Sequence, residues 1–513
     1  VIYLIVGREK MTVYNFNLLL GFEPNGVDVA QAHRLQLFRN LDIDTRFVFT
    51  QWPSTDQLDY FLSKGYDYDE LLFAQLLFTD QQRALPTLSS DELEKKLGLT
   101  ASQIIHETTT GRTYQLNEGE LLVFVNDKKD FSKVKYIEYF SDGYLLKRET
   151  YASTKLVTDY FILNYQNDYV LAQLGRRAYH NLDGSVGLEE ILVNGKQRYL
   201  LQNEKLITHA ELMESFVKKL QLNENDLVIM DRASGMDFTR PLLEQQSGAR
   251  LGLVFHSEHT FGNQPFSYEY YYPVKYSYRF DFMIVSTDIQ AKVLKESFEK
   301  EGKAAPRIYV IPVGSMKQLH YSEQDRKATK VMTASRLIYS KRVDLAIRAV
   351  ALANEKGGDI EFSIFGHGIE YDSLENLIQE LGAQEYIHLM GYADLTAQYL
   401  KHSIYLTTSL SETFGLTLME ATGAGLAMVG FDLRYGNPSF IKDGFNGYLI
   451  SFEDKNDQER VEEIAQSLLA LSSGDLSRYR EASYQLAGSY LEEKILDIWR
   501  DFFSNESSIS FQK

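Results

Sequence analysis

Two basic residues, Arg336 and Lys341, lie where a predicted strand at 330–334 gives way to a predicted helix at 342–355. A helix N-terminus carries roughly half a unit of positive charge, and two cations beside it add to its attraction for anions. The spacing therefore favours binding of a diphosphate. A solvated basic loop is the structural alternative for this segment taken alone.

Two glutamates, Glu412 and Glu420, are separated by seven residues around the predicted start of another helix. Glu412 falls in the loop after a predicted strand, and Glu420 is expected about two turns into a helix that starts at Phe414. The backbone N–H groups of Phe414, Gly415 and Leu416 would lie between the two carboxylates and donate to phosphate oxygens. The alternative is a pair of surface glutamates, one of them complementing the helix dipole.

Glycines and a histidine follow other predicted strands. Gly366 and Gly391 would allow a planar base or a phosphate to approach the backbone closely. Gly26 closes the loop after the first predicted strand, and His256 follows a later one. A single histidine is more often structural than catalytic, but the position of His256 at the predicted interdomain edge makes the two interpretations about equal.

The sequence predicts neither a metal site nor a cofactor. His256 and His259 lack a third ligand at a supporting spacing, and the absence of cysteine excludes thiolate ligands and cysteine nucleophiles. The carboxylate pairs Asp42/Asp44 and Asp67/Asp69 are interpreted as surface charge.

The elements that must position these residues form two βα series. Strands alternate with helices from residue 12 to about 56, again from 222 to 312, and in a longer series from 330 to 450. This alternation predicts two doubly wound parallel sheets, whose ligands bind beyond the carboxyl ends of the strands. Between the first two stretches, alternating residues and turns such as Ser141-Asp142-Gly143 predict an antiparallel β-meander over about 114–201.

The predicted fold is therefore α/β, with a β-meander inserted into the first of two Rossmann-like domains. We predict an N-terminal Rossmann-like, acceptor-side domain at 11–55 and 217–315, and an insert at 56–216 for acceptor binding or oligomerisation. A nucleotide-sugar-binding domain is predicted at 316–490. A terminal helix at 491–513 is expected to pack back towards the N-terminal domain.

The composition narrows the range of partners. The 513 residues carry a net charge of −18, which argues against nucleic acid and allows at most peripheral association with a membrane. Residues 1–10 lack the marks of a secretory signal and are interpreted as upstream sequence or a short extra strand. We expect a cytoplasmic protein.

The whole set of motifs resembles the retaining glycosyltransferases of family four, which have the GT-B fold. The resemblance includes the pairs Glu412/Glu420 and Arg336/Lys341, the loop at Gly26 and the segment 443–449. From Met11 onward the chain is most similar to the bacterial accessory-secretion glycosyltransferases that modify serine-rich-repeat adhesins. That similarity rests on these segments: 11–17, 26–32, Val254–His259 and Tyr435-Gly436-Asn437.

The resemblance implies a role for each site residue. Arg336 and Lys341 would bind the diphosphate of a UDP-sugar, and Glu420 would hold the ribose. Glu412 would hold the sugar near its anomeric carbon, and His256 would line the sugar. Gly26 would admit the phosphate, and the N–H groups of residues 414–416 would donate to it without any metal.

The resemblance further implies transfer of glucose or N-acetylglucosamine from UDP to Ser/Thr hydroxyls of an adhesin. The acceptor could instead be wall teichoic acid, because related α-glycosyltransferases share the insert. Residues 56–216 carry 17 Lys and Arg against 25 Asp and Glu, a net charge of −8. That charge would repel a polyanion, so the neutral polypeptide is favoured.

Two other functions remain open at this point. One is a non-catalytic companion subunit, which should lack the donor-binding residues that this chain has. The other is a sugar-nucleotide epimerase on the same architecture. Exposed edges of a β-meander invite self-association, so we expect a homo-oligomer or a complex with a companion subunit.

Overall fold

A computed structural model describes residues 11–17, 26–81, 84–166, 169–193, 196–232, 236–245, 247–260, 262, 264–322 and 326–506 of the chain. The predictions for residues 1–10 and for the turn at 18–25 fall outside the described residues. The chain divides into two compact units, Val1–Leu253 with Arg279–Asp281, and Val254–Tyr278 with Phe282–Lys513.

The first unit combines parallel strands with a long antiparallel sheet. Its elements in chain order are β1 (Thr12–Asn17), α1 (Gly26–Asn40), β2 (Asp44–Phe49), α2 (Thr55–Ser63), β3 (Leu71–Phe73), α3 (Ser90–Leu97), β4 (Ile104–Thr108), β5 (Gly111–Asn117), β6 (Glu120–Asn126), β7 (Val134–Ser141), β8 (Tyr144–Tyr151), β9 (Lys155–Gln166), β10 (Tyr169–His180), β11 (Val186–Val193), β12 (Lys196–Leu201), β13 (Leu206–Thr208), α4 (His209–Lys219), β14 (Leu227–Met230), α5 (Met236–Glu244) and β15 (Arg250–Val254).

The second unit is an α/β unit. Its elements are α6 (Tyr268–Lys275), β16 (Phe282–Val285), α7 (Asp288–Lys300), β17 (Arg307–Val310), β18 (Lys330–Ala334), α8 (Val343–Glu355), β19 (Glu361–Phe365), α9 (Tyr371–Glu380), β20 (Ile387–Gly391), α10 (Leu395–Tyr399), β21 (Ile404–Thr407), α11 (Leu416–Gly423), β22 (Ala427–Asp432), α12 (Gly436–Phe440), β23 (Gly447–Ser451), α13 (Asp457–Ser472), α14 (Ser477–Ala487) and α15 (Glu492–Glu506).

Parallel strands are buried in both units. In the first unit they run in the order β15-β14-β1-β2-β3, and every residue of β1 and β14 is buried. In the second unit β16 pairs with β17, and six strands form a sheet in the order β20-β19-β18-β21-β22-β23. Continuous apolar runs form such strands because helices cover both faces of the sheet. The prediction of doubly wound parallel sheets is confirmed.

The insert is a ten-stranded antiparallel meander, with strands following one another from β4 to β13. It extends further than the alternation alone predicts, because β4 begins at Ile104 and β13 ends at Thr208. A small core lies at its β4 end, where α3 packs Leu93 against Tyr114, Phe124 and neighbouring apolar residues. β3 pairs in parallel with β2, although residues 71–73 lie inside the range predicted for the insert.

The terminal helix α15 packs on β16 and β17. The Phe502 ring lies 5.0 Å from Phe282 and 4.9 Å from Tyr309, between ring centroids. Arg307 Nη1 and the Tyr309 hydroxyl each donate to Glu506 Oε1 at 2.6 Å, and Glu506 is 1% exposed. Aromatic contact and a buried carboxylate with two donors thus fix this helix.

Each unit contains one of the two tryptophans of the chain. Trp52 contacts Phe73 of β3 at 5.1 Å and Tyr179 of β10 at 5.8 Å, so it bridges the parallel strands and the meander. Trp499 is buried in α15 against Phe503. Among the described helices, none is long and apolar enough to cross a bilayer.

Candidate active site

The six-stranded sheet of the second unit has a topological switch point between β18 and β21. Strand order reverses there, and crossovers that leave to opposite faces open a crevice at the carboxyl ends of these strands. Residues 335–341 follow β18, and residues 408–415 follow β21. Two segments that are far apart in sequence therefore meet at the sheet edge where ligands bind in such folds.

An ion pair joins the two segments. Lys341 Nζ donates to Glu412 Oε1, and the two side chains are 16% and 19% exposed. The Thr408 hydroxyl donates to the Lys341 carbonyl at 3.1 Å, which fixes one segment on the other. Arg336 is exposed, and no salt bridge of its guanidinium is found within the described part of the chain. The crevice thus presents one exposed cation and one cation held by a carboxylate.

Glu412 is held from both sides. The Ser409 hydroxyl donates to Glu412 Oε1 at 3.0 Å, and the Gly436 N–H donates to the Glu412 carbonyl at 2.7 Å. Its carboxylate is therefore positioned by a hydroxyl and an ammonium. A carboxylate fixed in this way accepts hydrogen bonds from a polyol without losing rotational freedom.

The helix after Glu412 begins at Leu416, two residues later than predicted. Gly415 precedes it with φ +90°, and a Cβ there would lie 2.6 Å from Leu418 Cδ1, so glycine is required. Phe414 is buried with its ring 5.1 Å from Phe440, so its side chain belongs to the core. The first N–H groups of α11 have no acceptor within the helix, so they are available to an anion.

Glu420 lies one turn into α11 rather than two, because the helix starts late. The Tyr399 hydroxyl donates to Glu420 Oε2 at 2.9 Å. Burial raises the pKa of the Glu420 carboxyl, and the hydrogen bond from Tyr399 lowers it in part. Glu420 is thus a half-buried acceptor with one tyrosine already bound.

Gly366 and Gly391 connect neighbouring strand-end loops. The Gly366 N–H donates to the Gly391 carbonyl at 2.8 Å, and the Ser335 N–H donates to the Phe365 carbonyl at 3.1 Å. Gly366 has φ +127°, and a Cβ there would lie 1.9 Å from the Ser335 carbonyl oxygen. Gly366 is therefore needed to seat its loop against the one that carries Arg336, whereas space beside Gly391 is open.

The segment after β15 contains two histidines in different environments. His256 is half-buried, and His259 is buried among aromatic rings. Burial lowers the pKa of His259 to about 4, so its ring is neutral near pH 7. Among the described residues, no three His, Asp or Glu side chains are grouped as a metal site requires. His259 is a packing residue, and His256 remains the candidate.

Gly26 is the first residue of α1 and is exposed. It belongs to the first unit, whereas the other predicted site residues belong to the second. The loop that it closes lies outside the described residues.

Sequence reasoning missed three partners of the two glutamates: Ser409, Tyr399 and Tyr435. Tyr435 forms an isolated parallel bridge with Glu412. A polar residue directly after a strand was a usable signal for Ser409, which follows β21 by two residues. Nothing in the sequence around Tyr399 points to Glu420, because the contact depends on how α10 packs beside α11.

Two family models match the chain. Residues 318–485 match the glycosyl transferases group 1 family, and residues 105–203 match the GtfA extended beta-sheet domain. Over 499 residues the chain is 33% identical to the UDP-N-acetylglucosamine--peptide N-acetylglucosaminyltransferase GtfA subunit of Streptococcus gordonii. The match covers 95% of this chain and 97% of that protein. The chain belongs to the GtfA family of glycosyltransferases.

Solved GtfA structures share the fold over nearly the whole chain. The pneumococcal O-GlcNAc transferase GtfA in complex with UDP and GlcNAc superimposes with a TM-score of 0.82 at 32% identity, covering 97% of this chain and 99% of that one. A GtfA/B complex gives a TM-score of 0.83 at 32% identity, with 97% and 100% covered. The GT-B fold and the resemblance to accessory-secretion glycosyltransferases are confirmed, and the chain is a glycosyltransferase that uses a UDP-sugar.

Proposed function

We propose that the chain transfers N-acetylglucosamine from UDP-N-acetylglucosamine to Ser/Thr hydroxyls of a serine-rich-repeat adhesin, with retention of configuration. The Lys341–Glu412 pair at the switch point carries the proposal, because it sets a cation and a sugar-binding carboxylate side by side. The choice of N-acetylglucosamine over glucose is supported by the GtfA relative that binds UDP and GlcNAc. The peptide acceptor is supported by the names of the GtfA relatives.

The leaving group sets the main electrostatic demand. Breaking the glycosidic bond leaves negative charge on the UDP diphosphate and positive charge on the sugar. Arg336, Lys341 and the N–H groups of Phe414, Gly415 and Leu416 stabilise the charge on the diphosphate, as oxyanion-hole donors do. Each such donor contributes about 3–4 kcal/mol to lowering the barrier.

The two glutamates act on opposite ends of the donor. Glu412 accepts from the hydroxyls of the sugar, and its negative charge also favours the cationic character that the sugar acquires. Glu420 accepts from the ribose hydroxyls, with Tyr399 fixing the rotamer of its carboxylate. Lys341 contacts both the diphosphate and Glu412 and so couples the two ends.

The remaining predicted residues shape the pocket. His256 lines the donor sugar, and the role proposed for Gly26 is to admit the phosphate. Gly391 leaves room for the base or a phosphate, whereas the absence of a side chain at Gly366 lets its loop pack against Ser335. Retention requires the acceptor hydroxyl to attack the face from which UDP leaves, and the anomeric proton coupling in the product peptide measures this outcome.

A donor screen tests the function. The purified chain is incubated with a Ser/Thr-rich peptide and either UDP-N-acetylglucosamine or UDP-glucose, and intact mass identifies the product. We expect the mass increment of N-acetylhexosamine and release of UDP. Arg336→Gln should abolish most turnover, whereas Arg348→Gln should not, because Arg348 is exposed on α8 outside the crevice. Equal turnover of the two variants would contradict the proposal.

We also propose that the reaction needs no metal ion. Cationic side chains and the start of α11 already provide positive charge at the proposed diphosphate position. Turnover should therefore be the same in excess chelator as in added Mg²⁺. Loss of activity in chelator that Mg²⁺ restores would contradict this part of the proposal.

A companion subunit is part of the proposal, because a GtfA relative is found in a GtfA/B complex. The chain should form a complex of this kind or a homo-oligomer, and light scattering measures its mass. A monomeric mass in the presence of the companion would contradict both expectations. We further propose that it works in the cytoplasm, which cell fractionation tests.

A further inference from the structure

The segment Arg434-Tyr435-Gly436, between β22 and α12, contacts two loops of the proposed site. One loop carries Glu412, and the other is the segment after β15 that carries His256. Residues 434–436 have no role in the proposed function, although Tyr435-Gly436-Asn437 is one of the segments that carry the family resemblance.

The contact with the Glu412 loop is made by backbone. Tyr435 forms a parallel bridge with Glu412, and the Gly436 N–H donates to the Glu412 carbonyl at 2.7 Å. A Cβ at Gly436 would lie 2.5 Å from the Phe414 carbonyl oxygen and 2.8 Å from that of Glu412. The approach is so close that any side chain at position 436 would displace the Glu412 loop.

The contact with the other loop is made by side chains. The Tyr435 ring stacks on His259 with centroids 5.8 Å apart and an interplanar angle of 20°, and its hydroxyl lies 3.4 Å from His259 Nδ1. Both residues are 0% exposed. Arg434 Nη1 donates to the Thr260 hydroxyl at 2.7 Å and lies 3.4 Å from Glu258 Oε1.

Tyr435 holds this position at a conformational cost. Its backbone has φ +79° and ψ −92°, a region that side chains with a Cβ rarely occupy. Such strain persists where surrounding contacts impose it, and it clusters at functional sites. The fully buried ring and the bridge to Glu412 are the contacts that impose it here.

We propose that Arg434-Tyr435-Gly436 is a positioning segment that sets Glu412 and His256 in register with each other across the donor sugar. It touches no substrate atom and acts through these two residues. The inference rests on the proposed function, in which Glu412 and His256 contact the sugar while Arg336 and Glu420 hold the nucleotide.

The test separates turnover from nucleotide binding. Tyr435→Leu fills most of the volume but cannot stack, so kcat for UDP-N-acetylglucosamine should fall at least about tenfold through misplacement of the reacting groups. The Kd for UDP by calorimetry should stay within about twofold, because Tyr435 contacts Glu412 and His259 rather than Arg336 and Glu420, which hold the nucleotide. Tyr435→Phe keeps the ring and should restore most of kcat.

Gly436→Ala supplies a second route to the same outcome. Its added methyl meets the carbonyl oxygens of Phe414 and Glu412, so kcat should again fall. The Kd for UDP is compared in Tyr435→Leu alone, because the Phe414 N–H donates to the diphosphate in the proposed function. The matched control is Gly488→Ala, where a Cβ meets nothing within 4 Å and φ is −56°, so kcat should not change. Wild-type kcat in Tyr435→Leu and Gly436→Ala would overturn the proposal, as would equal losses in kcat and UDP affinity in Tyr435→Leu.

Amide hydrogen exchange keeps the inference distinct from the proposed function. In Tyr435→Leu, exchange should rise in both segments 256–260 and 409–413 and stay unchanged in α8. An increase confined to one segment would overturn the inference even where no UDP-sugar is turned over. Failure of the wild-type chain to bind UDP or turn over any UDP-sugar would instead reject the proposed function.

Discussion

Lys341 contributes both to the stability of the fold and to the rate of the proposed reaction. Its ion pair with Glu412 is only 16% and 19% exposed, so removing the lysine leaves a largely buried carboxylate without its cation and costs on the order of 1–3 kcal/mol of stability. Its proposed contribution to the transition state is about 3–4 kcal/mol, since charge develops on the diphosphate in a site shielded from water. The two contributions are separable because unfolding and turnover are measured independently.

We predict that Lys341→Met lowers kcat about 100- to 1000-fold while the free energy of unfolding falls by only about 1–3 kcal/mol, which leaves the chain folded. Steady-state kinetics and urea unfolding measure the two quantities. Lys494→Met is the matched control, because Lys494 is exposed on α15, and it should leave both unchanged. A stability loss that accounts for the loss of activity would show that the pair is structural.

Glu420 predicts a dependence of stability on pH. Burial raises its pKa above the ordinary value of 4.5, so the folded chain holds this proton at pH values where the unfolded chain has lost it. Stability must then fall as pH rises from about 4.5 through the raised pKa, because the unfolded state binds fewer protons in that window.

The substitution Glu420→Gln removes this pH-dependent contribution to stability, because an amide does not titrate. We expect the melting temperature of Glu420→Gln, minus that of the wild-type chain, to become more positive as pH rises from about 4 to about 7. Calorimetry of both chains at several pH values measures this difference. The Kd for UDP should weaken at the same time, because an amide is a poorer acceptor for the ribose hydroxyls. A difference in melting temperature that does not change with pH would contradict the assignment.

The sequence predicts the charged residues of the proposed site but not their partners. Arg336, Lys341 and Glu412 are recognisable because each follows a strand at the edge where doubly wound folds bind ligands. The bond between Lys341 and Glu412 depends on the side-by-side pairing of β18 and β21. The sequence places Tyr435 in a segment shared with the family, but nothing in residue type predicts its positive φ or its contact with Glu412.

At the scale of elements, the loops at the carboxyl ends of the strands pack closely against one another where one of them has a glycine. Gly366 lies against the Ser335 carbonyl, and its φ of +127° excludes most side chains. The loop that carries Arg336 is therefore positioned by a residue that contributes no functional group.

We predict that Gly366→Ala destabilises the chain by at least about 3 kcal/mol, because a steric clash adds to backbone strain. Gly382→Ala is the matched control: φ is +62° there, but a Cβ meets nothing within 4 Å. Strain alone should cost about 1 kcal/mol at that site. Urea unfolding of the two variants compares them, and equal losses would mean that the close approach to Ser335 is unimportant.

Elements are predictable from the sequence where periodicity is long and uninterrupted. The strands at 330–334 and 361–365 begin and end as predicted, and α8 starts one residue later than predicted. The sequence predicts that α11 starts at Phe414, which is two residues too early. An apolar residue at 414 fits the helical pattern, but in the structure its ring packs in the core beside Phe440 before the helix begins. Tertiary packing decided that boundary, as it commonly does.

At the scale of the whole molecule, the proposed nucleotide contacts and the β-meander lie in different compact units. Arg336, Lys341, Glu412 and Glu420 belong to the second unit, and β4 to β13 belong to the first. The fold class of both units follows from the alternation of strand and helix patterns. The predicted limits of the domains, including the insert at 56–216, remain predictions.

We predict that UDP stabilises the second unit selectively. At a concentration of 100 Kd, a ligand adds about 2.7 kcal/mol to the stability of the state that binds it. Hydrogen exchange should therefore slow in the core strands β18, β19 and β21 and remain unchanged in β6 to β9. Equal protection of the meander would show that the two units unfold as one.

The placement of Trp52 and Trp499 gives the molecule two built-in fluorophores, one for each unit. Replacing Trp52 with phenylalanine leaves an emission that reports on α15 alone, and replacing Trp499 leaves one that reports on the junction of β3 and β10. Stopped-flow refolding of the two single-tryptophan chains would then time the docking of the last helix separately from the closure of the meander on its neighbouring strands.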